Sequence, residues 1–258
     1  MKTSPFDVFP AAREETLDSL FQGRLKILQP RKGYRFSLDS VLLAGLTQVR
    51  RRDRVVDLGT GCGVVPLLLA FRGAVAHLTG VEIQPSLAAL ARRNVELNGL
   101  SRHVEIVEGD LRLIQRHHVP GPVSLVLSNP PYREIASGRV NPDREKALAR
   151  HELLADLGAV VQAAARLLPE KGRLALIYPA RRLPRLFQEV SEAGFTPKRL
   201  TLIHGSLDSP AKLAHLEAIR GGGEELRINK PFAVYGADRR YTAEMAAMYQ
   251  SPNSEDSP

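Results

Sequence analysis

The sequence predicts an α/β protein with a doubly wound, mostly parallel sheet and an antiparallel hairpin at its C-terminal edge. Between residues 53 and 193, short runs rich in Val, Ile and Leu alternate with helical patterns, which is typical of parallel strands joined by helices. Two later apolar runs, at residues 195–203 and 213–220, have little helix between them and therefore predict a hairpin. A chain of 258 residues is long enough for one such domain with extensions.

The residues before this alternation predict an N-terminal arm that ends in a helix. We expect a short helix around residues 11–20, a strand at residues 24–28 and a hairpin-like arm at residues 33–36. Ser37 is a suitable N-cap for an apolar helix over residues 38–46. The expected organisation is an arm and helix at residues 1–50, a main domain at residues 51–250 and a disordered, low-complexity tail at residues 251–258.

The main domain is predicted to alternate strands and helices. Strands are expected at residues 53–58, 77–82, 103–107, 123–127 and 172–178. Helices are expected at residues 64–71, 85–98, 144–168 and 183–193, followed by an edge strand at 226–234 and a short helix at 242–249. Ligands of open α/β sheets bind beyond the carboxyl ends of the strands, so the residues that follow each strand are the functional candidates.

Charge and composition narrow the choice of partners. The net charge is +8 and the pI about 9.9, with basic groups within residues 24–35, 50–54 and 220–240. These groups fit either an ordinary solvated surface or a polyanionic partner such as nucleic acid. Because there is no tryptophan and only 5% of the residues are aromatic, a large base-stacking platform is not expected.

The sequence argues against a membrane, secreted or metal-binding protein. It has no run of about 18 apolar residues, and Asp7, Glu14 and Glu15 do not suit a signal peptide. The single cysteine, Cys62, excludes an internal disulfide and a multi-cysteine zinc site. The adjacent His151-Glu152 pair does not share one helix face, so a structural role is expected for it. We therefore expect a cytoplasmic protein that binds no metal.

A glycine-rich loop follows the first strand of the main domain. After Asp57 come Gly59, Gly61 and Gly63, which let the backbone turn sharply and approach a ligand closely. Glu82 ends the next strand, where an acidic residue can bind both ribose hydroxyls of an adenosine cofactor. Taken alone, the loop also fits a plain turn. Since Asp57 would repel a diphosphate and attract a sulfonium with an amino-acid tail, the loop favours S-adenosylmethionine over NAD.

Two further residues complete the predicted donor site. Asp110 follows the third strand and is expected to bind the exocyclic amine of the cofactor's adenine, although it also suits an N-cap for the next turn. Ile83 is expected either to cover a face of that adenine or to be an ordinary core residue. Candidate donor groups thus follow three successive strands.

The fourth strand of the main domain is followed by a candidate catalytic segment, Asn129, Pro130, Pro131 and Tyr132. The side-chain oxygen of Asn129 and the carbonyl of Pro130 can each accept one N–H of an amine, which aims the nitrogen lone pair at a methyl donor beside Asn129. Proline holds this backbone rigid. Tyr132 can stack on a planar acceptor, which for a nucleic-acid base requires flipping. The alternative is an ordinary turn at a strand end.

These motifs resemble those of the class I, Rossmann-like methyltransferases that modify amino groups. Two subfamilies share N-P-P-Y: the adenine-N6 methyltransferases and the glutamine methyltransferases that act on translation release factors. The resemblance to bacterial tRNA1(Val) adenine-37 N6-methyltransferases extends to residues 33–44, 149–152, 216–222 and 234–242. It implies that residues Phe36 to Asp39 close over the methionine end of the cofactor.

The predicted function is S-adenosylmethionine-dependent methylation of adenine N6 in RNA, with tRNA bound through the basic surface. A release-factor glutamine methyltransferase is the first alternative, but those enzymes carry a helical N-terminal domain, whereas the residues before Asp57 are predicted to form strands and one helix. A small-molecule N-methyltransferase and a non-catalytic RNA-binding module are further alternatives. The sequence does not predict the oligomeric state.

Overall fold

The computed structural model describes residues 14–33, 35–73, 75–131 and 157–250. Their strands are β1 (Glu15–Leu20), β2 (Leu25–Pro30), β3 (Arg54–Leu58), β4 (His77–Glu82), β5 (Val104–Glu108), β6 (Leu125–Ser128), β7 (Arg173–Pro179), β8 (Phe195–His204), β9 (Ala211–Arg220), β10 (Arg227–Ile228) and β11 (Phe232–Ala233). Their α-helices are α1 (Leu38–Leu46), α2 (Val64–Phe71), α3 (Pro85–Leu97), α4 (Leu157–Leu167), α5 (Leu183–Glu192) and α6 (Ala243–Ala247).

One mixed sheet forms the centre of the fold. Its strand order is β10-β8-β9-β7-β6-β3-β4-β5, and β11 also pairs with β8. The strands β5, β4, β3, β6 and β7 are parallel, whereas β9 is antiparallel to both β7 and β8. The predicted parallel sheet and C-terminal hairpin are thereby confirmed. The edge strand expected at residues 226–234 is divided into β10 and β11, because Pro231 lies between them and has no N–H to donate.

Helices cover both faces of the sheet. Successive residues of a strand point to opposite faces, so neighbouring residues of one strand pack against different helices. Val55 of β3 and Leu125 of β6 belong to the hydrophobic cluster that includes α1, α2 and α3. Their neighbours Val56 and Val126 belong to the cluster that includes α4 and α5. The main domain therefore has three layers, with the sheet in the middle.

Most elements of the main domain begin and end within two residues of the predicted bounds. The bounds of α1 and α2 agree with the prediction, and α3 ends at Leu97 with Asn98 as its C-cap, before Gly99, which has a positive φ of 66°. Ser37 stands at the N-cap position of α1, but its side chain makes no capping hydrogen bond. The helix expected at residues 144–168 falls partly outside the described residues, and its described part is α4.

The N-terminal arm differs from the prediction. The helix expected around residues 11–20 is wrong for residues 15–20, which form β1 and pair antiparallel with β2. Phe21, Gln22 and Gly23 have φ angles of 51°, 57° and 87° and close this hairpin. Cross-strand pairing outweighs the local helical preference. Residues 33, 35 and 36, expected to form a hairpin-like arm, are not in a strand.

Two asparagines of α3 hold the hairpin against the main domain. Asn94 accepts the N–H of Leu28 at 2.7 Å and donates to the carbonyl of Leu28 at 2.9 Å. Asn98 makes the same pair of bonds with Lys26, at 2.9 and 2.7 Å. The two amides thus take the place of a neighbouring strand beside β2. Asn94 also donates to the carbonyl of Cys62 at 2.9 Å, so one side chain joins the hairpin to the glycine-rich loop.

Candidate functional site

The residues that follow β3, β4, β5 and β6 meet at one edge of the sheet. These strands are parallel neighbours, with Asp57 paired to Leu127 and Glu82 paired to Glu108. Because paired strands lie about 4.8 Å apart, their carboxyl ends are side by side. We call this edge the carboxyl edge and the opposite one the amino edge. The predicted donor and acceptor segments both lie at the carboxyl edge.

The glycine loop, residues 57–63, has a backbone that requires glycine. Gly59, Gly61 and Gly63 have φ angles of 76°, 60° and 84°, which side chains disfavour. A Cβ on Gly63 would lie 3.2 Å from the Cβ of Ala91 in α3, so this glycine permits close packing on the helix. A Cβ on Gly59 would meet no atom within 4 Å. The space beside Gly59 is therefore open to a ligand.

Glu82 organises this loop from the end of β4. It is 5% exposed, and its two carboxylate oxygens accept the N–H groups of Gly61 at 2.8 Å and Gln84 at 2.9 Å. Two further N–H groups of the loop donate to the carbonyl of Val81, at 2.9 and 3.0 Å. A carboxylate has about four acceptor positions, so Glu82 can still accept hydroxyl groups from a ligand.

Asp57 and Thr60 present buried polar atoms without partners. Neither Oδ2 of Asp57 nor Oγ1 of Thr60 makes a hydrogen bond within the described ranges. Burial raises the pKa of the Asp57 carboxyl to about 7; the nearby Thr60 hydroxyl opposes this rise and the charge of Glu82 adds to it. Buried unpaired polar atoms are costly, so a cationic or polar ligand group would be stabilised here.

Asp110 is engaged by its own loop. Its Oδ1 accepts the backbone N–H of Arg112 at 2.9 Å, and the Arg112 guanidinium donates to both carboxylate oxygens at 2.5 to 3.0 Å. The side-chain bond from Arg112 holds the pKa of Asp110 below its usual range. The turn that the sequence offered as an alternative is thus present, and the bond to a cofactor adenine stays a prediction.

Ile83 is half-buried beside this donor region. Neither hydrophobic cluster of the described residues includes it. An apolar side chain outside the core is available to a ligand ring. S-adenosylmethionine combines a cationic sulfonium with ribose hydroxyls and an adenine. These groups fit the unpartnered oxygen of Asp57, the free acceptor positions of Glu82, and the apolar Ile83 side chain together with the space beside Gly59.

The predicted acceptor segment follows β6. Ser128 is fully buried, and its hydroxyl donates to the carbonyl of Leu58 at 2.7 Å. The side-chain oxygen of Asn129 is buried and has no hydrogen-bond partner among the described residues. Pro130 is buried and Pro131 is exposed. The Ser128 bond therefore fixes the start of this segment to the start of the glycine loop. Tyr132, His151 and Glu152 lie outside the described residues.

Phe36 and Asp39 lie at the start of α1. The N–H of Phe36 donates to the side-chain oxygen of Gln29 at 2.9 Å, and its ring packs against the cluster of α1, α2 and α3. Asp39 is half-buried, and burial raises its pKa, although its own backbone N–H and the Ser37 hydroxyl oppose the rise. The hairpin thus positions the segment that leads into α1.

The basic groups are divided between the two edges of the sheet. Residues 50–54 lie at the amino edge, because β3 begins at Arg54. The end of α1 is near the same edge, because Arg173 at the start of β7 donates to the carbonyl of Gln48 at 2.6 Å. The residues before α1, including the exposed Lys32, consequently lie toward the carboxyl edge. Of these two groups, only the one before α1 is within direct reach of a ligand at the carboxyl edge.

Sequence reasoning missed three residues that build this region: Gln29, Asn94 and Ser128. Gln29 is 2% exposed and holds Phe36, whereas Asn94 holds the glycine loop through Cys62. A signal was present, since Asn94 and Ser128 are polar residues within otherwise apolar buried patterns. Burial raises the pKa of the Cys62 thiol to about 12, so this cysteine stays neutral.

Two kinds of feature are absent from the described residues. Residues 14–33, 35–73, 75–131 and 157–250 contain no group of three or more His, Cys, Asp or Glu side chains that could hold a metal ion. None of the helices in these ranges has both the length and the apolar character needed to span a membrane.

Known proteins resemble this chain in sequence and fold. The model of the methyltransferase small domain family matches residues 37–190. A tRNA1(Val) (adenine(37)-N6)-methyltransferase of Tolumonas auensis is 29% identical over 221 residues, covering 85% of this chain and 90% of the relative. A protein of the same name from Trichodesmium erythraeum is 31% identical over 172 residues, covering 64% of this chain and 69% of the relative.

The fold is similar to the crystal structure of a predicted O-methyltransferase from Agrobacterium tumefaciens. The TM-score is 0.64 at 23% identity, and the match covers 82% of this chain and 95% of that one. The chain therefore belongs to the methyltransferase small domain family and is a class I methyltransferase that uses S-adenosylmethionine.

Proposed function

We propose that this protein transfers a methyl group from S-adenosylmethionine to the N6 amine of an adenine in tRNA, in the cytoplasm. The observation that carries the proposal is the unpartnered oxygen of Asn129, next to a serine bonded to the donor loop at Leu58. The relatives from Tolumonas auensis and Trichodesmium erythraeum are named adenine-N6 methyltransferases of tRNA1(Val). The match covers 90% of the length of the Tolumonas auensis relative, which supports the same reaction in this chain.

On the donor side, the cofactor is held by residues of the glycine loop and of the neighbouring strand ends. When bound, S-adenosylmethionine supplies a methyl group activated by the positive charge of its sulfonium. Asp57 faces this positive charge with an ionised carboxylate, and Glu82 accepts the ribose hydroxyls at its free positions. The other proposed donor-side residues are Phe36, Asp39, Gly59, Gly61, Gly63, Ile83, Asp110 and Asn129.

On the acceptor side, Asn129 and Pro130 position the adenine amine. Each oxygen accepts one N–H, which reduces the delocalisation of the nitrogen lone pair into the ring. The ring of Pro131 restricts the backbone of Pro130, so that the carbonyl is preorganised. Tyr132 stacks on the adenine after it is flipped out of the RNA. The amine proton leaves after transfer, so this site needs no strong base.

The proposed reaction is tested by supplying tritiated S-adenosylmethionine, unmodified tRNA and a purified release factor to the full-length protein. We expect label in tRNA, and nucleoside analysis should identify it as N6-methyladenosine. Label that enters release factor but never tRNA would establish the glutamine alternative instead. A transfer rate to small amines that is insensitive to added RNA would also contradict the proposal.

The role of Asn129 is tested by Asn129→Ala. We expect turnover to fall by about 100-fold or more, because one preorganised polar contact to the reacting group is lost. Binding of S-adenosylmethionine, measured by calorimetry, should fall much less than turnover, because Asn129 is one of many donor-side residues but supplies one of only two oxygens to the acceptor amine. Asn229→Ala removes an amide that bonds Thr201 at the C-terminal edge of the sheet, and it serves as the matched control. Equal losses of donor binding and turnover in Asn129→Ala would contradict this division of labour.

A further inference from the structure

Three tyrosines form one stack in the C-terminal part of the chain. The rings of Tyr235 and Tyr241 have centroids 5.3 Å apart, and those of Tyr241 and Tyr249 are 5.8 Å apart, with interplanar angles of 23° and 7°. Tyr235 is 41% exposed and Tyr241 45% exposed. Tyr249 is half-buried and packs against the cluster of α1, α2 and α3. The stack is therefore anchored in the core and reaches the surface.

A tight hairpin holds the two exposed rings in place. Tyr235 and Tyr241 pair as an antiparallel bridge, and the N–H of Gly236 donates to the carbonyl of Arg240 at 2.9 Å. The N–H of Tyr235 also donates to the carbonyl of Gly205, just after β8, at 2.8 Å. Because the rings are already ordered, a ligand that stacks on them loses little free energy in fixing them.

A cavity of about 560 Å³ lies beside Tyr235, between this hairpin and the connection from β8 to β9. Its volume is within the range of about 300 to 1,000 Å³ that is usual for ligand sites. The charged residues that line it are Lys212, Arg239 and Asp208, so cations outnumber anions. Lys212 and Arg239 are exposed, and in the part of the chain that the structure describes no acidic side chain forms an ion pair with either.

This cavity shares the carboxyl edge with Asn129. Since β9 is antiparallel to both β7 and β8, β8 runs parallel to β7 and ends at the carboxyl edge. Tyr235 follows β11, which pairs with β8 on the side away from β9, so in the order β6-β7-β9-β8-β11 it is four positions from β6, or roughly 19 Å at the usual strand spacing. That distance corresponds to about six nucleotides at the stacked spacing of a nucleic-acid strand.

We propose that Tyr235 is a stacking platform for an unpaired base of the RNA substrate, with Lys212 and Arg239 bound to adjoining phosphates. The inference rests on the proposed function and extends it from the methylated adenine to nucleotides that flank it. A tyrosine face accepts any base, so this platform supplies affinity, while the acceptor site at Asn129 selects the amine. Composition argues against a large stacking platform, yet the structure gathers three of the six tyrosines in one place.

Equilibrium binding of unmodified tRNA to the full-length protein, measured by fluorescence anisotropy at several salt concentrations, tests this surface. Tyr235→Ala should weaken binding by about 5- to 100-fold, whereas Tyr235→Phe, which keeps the ring, should stay within about twofold of the wild type. Arg239→Ala should reduce the slope of log affinity against log salt by about one. Arg51→Ala at the amino edge is the matched control and should leave that slope unchanged.

Binding of S-adenosylmethionine by each variant shows that its fold is intact. The inference is overturned if Tyr235→Ala binds tRNA as tightly as the wild type, or if Tyr235→Phe loses as much affinity as Tyr235→Ala. An assay of methyl transfer distinguishes a failure of the platform from a failure of the proposed function. A wild-type protein that methylates tRNA, with kcat/KM unchanged in Tyr235→Ala, refutes the platform and leaves the function. A wild-type protein that binds tRNA through Tyr235 but methylates only release factor refutes the function and leaves the platform.

Discussion

At the scale of single residues, the candidate site is marked by polar atoms that the protein leaves without internal partners. In the described residues, the buried oxygens Asp57 Oδ2, Thr60 Oγ1 and Asn129 Oδ1 make no hydrogen bond. Asp57 lies next to the end of β3, Thr60 follows β3, and Asn129 follows β6, which pairs directly with β3. Buried polar atoms without partners are tolerated where a ligand completes their hydrogen bonding, so these atoms identify the groups that face a ligand.

The raised pKa of Asp57 should make donor binding depend on pH. In the free protein the carboxyl titrates near pH 7, mainly because it is buried. A cationic ligand requires the ionised form, so below about pH 7 the affinity for S-adenosylmethionine should fall by up to about tenfold per pH unit. Calorimetry on both sides of pH 7 measures this profile. Asp57→Asn should bind weakly with a flat profile, and a wild-type affinity that does not change with pH would contradict the assignment.

Some of these residues could be predicted from the sequence, and others could not. Asp57 and Asn129 are predictable because each stands in a short motif whose backbone and chemistry are local. The bond between Asp110 and Arg112 depends on the conformation of the loop after β5, which no periodic pattern encodes. Ser128 directly precedes the predicted acceptor segment, but its bond to Leu58 requires knowledge that β3 and β6 are neighbours.

At the scale of elements, local signals predict helices and parallel strands well and fail for the N-terminal hairpin. The predicted bounds of α1 and α2 agree with the structure because their apolar runs end in clear turn residues. β1 depends on pairing with β2, and β2 depends on Asn94 and Asn98 of α3. These partners are about 70 residues away in the chain, so no local window contains them.

The two asparagines of α3 should differ in their contribution to stability. Asn94→Ala leaves three buried backbone groups without partners, at about 1 to 3 kcal/mol each, so the free energy of unfolding should fall by about 3 kcal/mol or more. Asn98→Ala affects partly buried groups that water can reach, and the loss should be about 1 kcal/mol. Urea denaturation measures both variants. Equal losses would show that Asn94 is not the principal link.

At the scale of the whole molecule, the order of strands decides which charged groups can share a ligand. Composition shows a basic chain but not that residues 50–54 lie at the amino edge while Lys212 and Arg239 lie at the carboxyl edge. That distinction follows from strand direction and neighbours, which emerge only when the sheet is assembled. The arginine cluster most obvious in the sequence is therefore not the one nearest the candidate site.

His215 couples the stability of the whole fold to pH. It is buried in β9, with Nε2 3.0 Å from the hydroxyl of Thr47 after α1, and burial together with the charge of Arg199 lowers its pKa to about 3. The unfolded chain binds more protons between about pH 3 and 6.5, so the free energy of unfolding should fall as the pH drops through this window. The expected loss from this group is about 2 kcal/mol at pH 5.

His215→Gln tests this coupling, because it keeps a polar side chain beside Thr47 but does not titrate. The variant should lose less stability than the wild type between neutral pH and pH 5, as measured by urea denaturation. Asp57 acts in the opposite direction, since its raised pKa favours the folded state as the pH falls below 7. Asp57 is present in both proteins, so it cancels from the comparison. Parallel pH profiles for the two proteins would refute the role of His215.

The bond from Ser128 to Leu58 means that the proposed donor and acceptor segments are held together by two adjacent strands of one sheet. Paired strands have no hinge between them, and their separation of about 4.8 Å is a constant of β-structure. The alignment for methyl transfer is thus acquired once, when the chain folds, and is not rebuilt in every catalytic cycle. Surface elements such as the tyrosine hairpin can then diverge without disturbing the strand ends.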